Sequence, residues 1–131
     1  MSTVLFACVH NAGRSQMAAG FFRSIAGSVH TAISAGTQPA DHVHPEVVAA
    51  MAEVGLDLRS VRPQRLTAEL AGGAALLITM GCGDACPYVP GLRLEDWPLP
   101  DPKGQGLESV RLIRDEVRRR VEALVEREGW R

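Results

Sequence analysis

Short apolar runs alternate with stretches of helical periodicity, and this alternation constrains the fold more than any other feature of the chain. TVLFAC (3–8), VHTAISAG (29–36) and AALLITMG (74–81) are the β-branched or near-continuously apolar runs expected of strands buried on both faces. SQMAAGFFRSIAG (15–27) places Met17, Phe21 and Ile25 four apart, with Phe22 beside them and Gly27 as the stop, so it is predicted helical. HPEVVAAMAEVG (44–55) has His44 as a candidate N-cap, Pro45 at the first helical position and Gly55 at the C-cap. A short helix is predicted over 67–71, and GLRLEDW (91–97) supplies a fourth, edge strand. Leu107, Val110, Ile113, Val117, Val121 and Leu124 recur at spacings of three and four, which predicts a long amphipathic C-terminal helix. The pattern predicts an α/β fold with an open four-stranded parallel sheet flanked by helices on both faces.

At 131 residues the chain is expected to form one domain, 1–131. Its formal charge is −1, with both signs interspersed, which argues against a nucleic-acid or anionic-membrane surface. The basic run Arg118, Arg119 and Arg120 falls on the C-terminal helix and reads as a solvated face. No stretch approaches the roughly 20 apolar residues of a membrane span, and a cytoplasmic location is expected. Three cysteines are an odd number, and in a reducing compartment they point to catalysis, redox exchange or metal binding rather than structural disulfides.

Cys8 closes the first strand, and the polar loop after it carries Val9, His10, Asn11, Ala12, Gly13 and Arg14 into the first helix. A loop entering a helix N-terminus, with a glycine and a turn-tolerant asparagine, can aim successive backbone N–H groups at one anion. Arg14 adds a planar fork of charged donors suited to tetrahedral oxyanions. The same positive field favours the thiolate of Cys8, and Ser15 can donate its hydroxyl proton to that sulfur or cap the helix. Cys8 is the candidate nucleophile. In open α/β sheets ligands bind beyond the carboxyl ends of the strands, and Cys82, just after the third strand, falls on that same rim if the two strands are neighbours.

Cys82 and Cys86 lie in TMGCGDACP (79–87), separated by three residues. Half of a zinc site is one reading, but four ligands are needed and His30, His42 and His44 have no suitable spacing to the pair, so no metal is expected. The alternative is a three-thiol relay, with Gly81 and Gly83 supplying the backbone freedom that exchange of sulfur partners needs. Asp101, held between Pro100 and Pro102, is a candidate general acid if its loop reaches the anion.

CVHNAGRSQMA, SAGT, TMGCGDACP and DWPLPDPKG together resemble the arsenate reductases built on the low-molecular-weight protein tyrosine phosphatase fold, over nearly the whole chain. The resemblance implies reduction of arsenate to arsenite without a cofactor. Cys8 would attack arsenate held by residues 9–14, Asp101 would assist loss of an oxygen as water, and Cys82 and then Cys86 would pass the oxidation to thioredoxin. Phosphate is the expected competing anion.

Cys82 and Cys86 are closer together than in many relay members. The short span resembles actinobacterial-type sequences, some of which take electrons from a low-molecular-weight thiol and a glutaredoxin-like protein. Some members bind potassium through an acidic residue where this chain has Ala19, so little potassium dependence is expected. The second reading is a phosphatase acting on phosphotyrosine or small phosphate esters through a phosphocysteine. Lys103 and Gly104 follow the Asp-Pro pair where such enzymes usually carry aromatic residues, and a phosphatase has no use for Cys82 and Cys86.

Overall fold

The computed structural model describes residues 2–81 and 91–131. Four strands, β1 (Thr3–Cys8), β2 (Thr31–Gly36), β3 (Leu76–Thr79) and β4 (Arg93–Asp96), form one sheet in the order β2-β1-β3-β4. Every pairing is parallel, with Cys8 level with Gly36 and Thr79 level with both Ala7 and Asp96. The helices are α1 (Arg14–Ile25), α2 (Pro45–Ala52), α3 (Ala68–Gly72) and α4 (Leu107–Glu128). The expected α/β class and four-stranded parallel sheet are thus observed. The second to fourth strands are shorter than the apolar runs that announce them, because a ladder reaches only as far as its partner.

Central β1 is covered on both faces, and its alternation sorts the core. Val4, Phe6 and Cys8 point into the larger cluster with α1, α2 and α4, whereas Leu5 and Ala7 point into a smaller one with Leu66, Ala71 and Leu77. Phe6 packs edge-on to Phe22 at 6.1 Å and tilted against Trp97 at 5.9 Å, and Trp130 meets the far side of Phe22 at 5.9 Å. Both tryptophans are buried packing residues. This aromatic stack fixes α1, and with it the loop between β1 and α1.

Helix ends follow their local chemistry in part: α1 is capped by Ala26 rather than Gly27, and α2 by Glu53 rather than Gly55. Thr67 caps α3 by accepting a hydrogen bond from the Leu70 N–H, and Gly129 ends α4 in the left-handed region at φ 68°. His44 stands at the N-cap of α2 but its side chain makes no capping bond, a departure from expectation that leaves the imidazole available elsewhere. The basic run on α4 pairs with acidic neighbours, Arg118 with Glu122 at 3.6 Å and Arg120 with Glu116 at 2.9 Å. No described helix is long and apolar enough to cross a membrane.

Glu53, just after α2, ties that helix to α4 through Arg111 (2.6 Å) and Arg114 (2.8 Å). Hydrogen bonds from Arg111 and then Arg114 hold its carboxyl at about 2, below its ordinary 4.5. A carboxyl lowered in the folded state stabilises it above the unfolded value and loses that contribution as pH falls from about 4.5 to about 2. The difference in thermal midpoint between the native chain and Glu53→Gln should therefore shrink across that interval. A difference constant from pH 5 to pH 2 would show that the pair contributes nothing through its charge.

Candidate functional site

The sheet reverses its winding at β1, with β2 on one side and β3 on the other, and Cys8 ends β1 at that switch point. Its thiol is free and almost wholly buried. The chain then turns through residues 9–13 into α1, with Asn11 in the left-handed region at φ 49°.

Backbone pairing orients this loop. The carbonyls of Cys8, Val9, His10 and Ala12 accept hydrogen bonds from the N–H groups of Thr37 (3.2 Å), Gln38 (2.7 Å), Ala40 (2.9 Å) and His44 (3.0 Å). With those carbonyls turned outward, the amide N–H groups of His10, Asn11, Ala12 and Gly13 find no acceptor among the described residues. Together with the first-turn N–H groups of α1, these unpaired donors stand at the positive end of a helix dipole, an arrangement suited to an anion and here termed the cup.

Side chains that carry no charge hold the cup rigid. Asn11 donates from Nδ2 to the Ser15 Oγ at 2.8 Å, and the same Oγ lies 2.9 Å from the Cys8 Sγ. Since Asn11 occupies an acceptor site on that hydroxyl, the Ser15 proton is free to point at sulfur, where it stabilises a thiolate. Gln16 is buried and donates from Nε2 to the Asn11 carbonyl (3.0 Å) and to Asn11 Oδ1 (3.2 Å), while the Gln64 backbone N–H reaches Oδ1 at 2.9 Å. Asn11 is thereby locked in a backbone conformation that non-glycine residues seldom adopt. Ser15 lies in the first turn of α1, after Gly13 at the N-cap, so of its two possible roles the structure shows contact with sulfur and not capping.

Arg14 is buried, donates from Nη1 to the Leu99 carbonyl at 3.1 Å, and keeps its Nε without a partner. An unpaired buried guanidinium N–H is costly, and an oxyanion in the cup removes that cost. Gly81, at φ +104°, lies against the same guanidinium, which a Cβ there would strike. Space for Arg14 is thus a reason for Gly81 in addition to the backbone freedom inferred from sequence. Gly81→Ala should displace Arg14 and weaken phosphate binding about 10- to 100-fold, the loss of one charged bidentate contact. Calorimetric titration with phosphate measures this, and unchanged affinity would remove Arg14 from the binding role.

Asp101 follows β4 and is brought over the cup. Pro102 abuts the loop so closely that a Cβ on Gly13 would lie 2.6 Å from the proline Cγ. Asp101 Oδ1 accepts from the Lys103 N–H at 3.0 Å, and Oδ2 faces Arg14 Nη2 at 3.7 Å and His10 Nδ1 at 3.8 Å. His44, from the start of α2, joins them with its ring 6.2 Å from that of His10. Burial is the main force holding His44 below its ordinary value, with His10 and Lys103 pushing the same way and Asp101 opposing them.

The structure therefore brings the contiguous stretch Cys8, residues 9–14 and Ser15 together with Asp101, which is distant from it in sequence. Cys82 and Cys86 lie outside the described residues, as does Gly83. The supporting roles of Gln16 and Gln64 are not legible in the sequence, since no motif announces a side-chain amide that donates to a loop carbonyl or a distant backbone N–H that donates to Asn11 Oδ1. Arg65 donates to the Thr37 carbonyl at 3.2 Å and Arg59 pairs with Asp57 at 2.9 Å, so both are engaged outside the cup.

Comparison with known proteins gives a consistent set of similarities. A family model described as low molecular weight phosphotyrosine protein phosphatase matches residues 3–128. A relative from Halobacterium salinarum, named putative arsenate reductase, is 41% identical over 122 residues, covering 88% of this chain and 85% of its own. A Synechocystis relative named glutaredoxin arsenate reductase is 37% identical, covering 95% of this chain and 97% of its own. Among solved structures, the Corynebacterium glutamicum thioredoxin-dependent arsenate reductase matches 96% of this chain with a TM-score of 0.84 at 38% identity. The match spans 61% of that protein's chain.

Proposed function

The chain belongs to the low molecular weight phosphotyrosine protein phosphatase family, in its arsenate reductase branch, and from that premise we propose that it reduces arsenate to arsenite through Cys8. The observation that carries the reading is the joint placement of a buried free thiol, a hydroxyl 2.9 Å from it, a run of loop amides with no acceptor among the described residues and an arginine with an unpartnered N–H.

The Cys8 thiolate attacks arsenic, forming an S–As bond, and one arsenic oxygen leaves as water with a proton from Asp101. The thiolate of Cys82 then attacks the Cys8 sulfur. An S–S bond forms, the S–As electron pair returns to arsenic, and As(V) leaves as arsenite, As(III). Cys86 attacks Cys82, freeing the Cys8 thiolate and leaving a Cys82–Cys86 disulfide for an external dithiol to reduce. The name of the Corynebacterium glutamicum protein supports thioredoxin as that dithiol, while the name of the Synechocystis relative supports a glutaredoxin-type donor. Thioredoxin is the donor proposed here, because a Cys82–Cys86 disulfide is a substrate that a dithiol reductant accepts directly.

The test is arsenate-dependent NADPH consumption by the intact protein with purified thioredoxin and thioredoxin reductase, run beside a parallel assay with a low-molecular-weight thiol and a glutaredoxin. Turnover in the first alone supports the full proposal. Turnover in the second alone keeps arsenate reduction and overturns the donor. Silence in both, with hydrolysis of an aryl phosphate, would favour the phosphatase reading, since the cup is equally suited to phosphate.

Asp101→Asn should keep the fold and the anion affinity while lowering the single-turnover rate by about 10²- to 10⁴-fold, the usual worth of a general acid. An unchanged rate would make Asp101 a turn residue paired with Arg14 and nothing more.

A further inference from the structure

We propose that His10, His44 and Asp101 form a binding site for a divalent transition cation of the Zn²⁺ type at the mouth of the anion cup. One ligand atom from each of the three residues falls within 4.8 Å of the other two, and His10 Nδ1 is 3.8 Å from Asp101 Oδ2. Zinc–ligand bonds of about 2.0–2.2 Å set neighbouring donors roughly 3.4 Å apart in a tetrahedron, so modest side-chain rotation closes the site. All three side chains are partly exposed and have room for that rotation.

The donor set selects the ion. Two imidazoles and one carboxylate suit zinc, cobalt, nickel or copper, whereas magnesium and calcium prefer oxygen donors throughout. Three protein ligands leave a coordination position open, and here the cup lies beside it. The supporting contacts are already made. The Lys103 N–H holds Asp101 Oδ1 at 3.0 Å, so that Oδ2, 3.7 Å from Arg14 Nη2, is the oxygen turned toward His10, and the backbone bond from His44 to the Ala12 carbonyl ties the second imidazole to the loop that carries the first.

The three residues come from sequence positions separated by 34 and 57, so no ligand spacing could have revealed them. The ion is distinct from anything the reaction needs. It removes Asp101 from proton donation, so its occupation inhibits turnover; that consequence rests on the proposed function, while binding itself does not.

Cobalt is the probe, because its visible bands separate imidazole and carboxylate ligands from thiolates. Reduced, phosphate-free protein carrying Cys82→Ser and Cys86→Ser is titrated with Co²⁺, alone and with His44→Gln or His10→Gln added. The expected result is one equivalent of Co²⁺ bound, weakened at least about tenfold by either histidine change. Retained phosphate binding in the His44→Gln variant shows that the loop is still folded. The proposal is overturned by absence of saturable binding, by affinity that neither histidine change alters, or by a thiolate-to-cobalt band as the only signal. Relief of Zn²⁺ inhibition by His44→Gln in protein that keeps all three cysteines is a separate readout, and its failure with Co²⁺ binding intact would count against the Asp101 mechanism rather than the site.

Discussion

Cys8→Ser is expected to abolish arsenate reduction, lowering the rate by at least about 10⁴-fold, while phosphate still binds. Serine keeps the size of the side chain and the contact with Ser15, so the cup stays assembled, and the loss is confined to the nucleophile. Among the described residues a buried hydroxyl has no neighbouring base here: the groups around it, Ser15 and the loop amides, are donors. Donors stabilise a thiolate that already exists, but they do not create an alkoxide. Any aryl phosphatase activity should fall together with the reductase activity, because both readings of the pocket use this sulfur. Full activity in the variant would mean that the chemistry occurs elsewhere on the molecule.

The second large effect concerns the cysteines after β3. Cys82→Ser should leave the protein able to bind arsenate and release no arsenite, because no other thiol is assigned to attack Cys8. Cys86→Ser should release at most one arsenite per protein and then stop as a Cys8–Cys82 disulfide. Steady-state turnover with thioredoxin is lost in both, but the two variants differ in the first turnover. Quantifying arsenite against protein in a rapid-quench experiment separates them. Identical, undiminished turnover in both would discard the relay and keep the anion cup.

Much of this site was legible because its parts are local. Strand, loop and helix follow one another within residues 3–25, and a cysteine at the strand end and an arginine at the helix start are positioned by backbone geometry alone. Helix periodicity likewise placed α4 on the core face, with Val110, Ile113, Val117, Val121 and Leu124 all buried. What sequence could not show depends on contacts between distant segments. Gly81 is required where Arg14 passes, and Pro102 presses on Gly13, yet in sequence each is an ordinary turn residue. His44 resembled a helix cap because it precedes Pro45, whereas in space it faces His10. Strand order is of the same kind: β1 is first in sequence and interior in the sheet, and that interior position is what places Cys8 at the switch point.

The support for Asn11 explains why the cup is expected to be preformed rather than assembled by its ligand. Gln16, Gln64 and Ser15 satisfy its side chain from three directions, so its left-handed conformation is fixed before an anion arrives. Preorganised donors lose little on binding, and the unpartnered N–H of Arg14 then gains its acceptor.

The central claim is that two thiols of this chain, with Cys8 as the nucleophile, supply the two electrons that reduce arsenate. The most direct measurement mixes the fully reduced protein with excess arsenate in the absence of any external reductant, then counts arsenite released and thiols remaining. Arsenate reduction takes two electrons and two thiols, so one arsenite per protein and the loss of two of the three thiols is the predicted result, with mass spectrometry locating the disulfide between Cys82 and Cys86. No arsenite, with all three thiols still titrating, would contradict the account whatever reductant is later supplied.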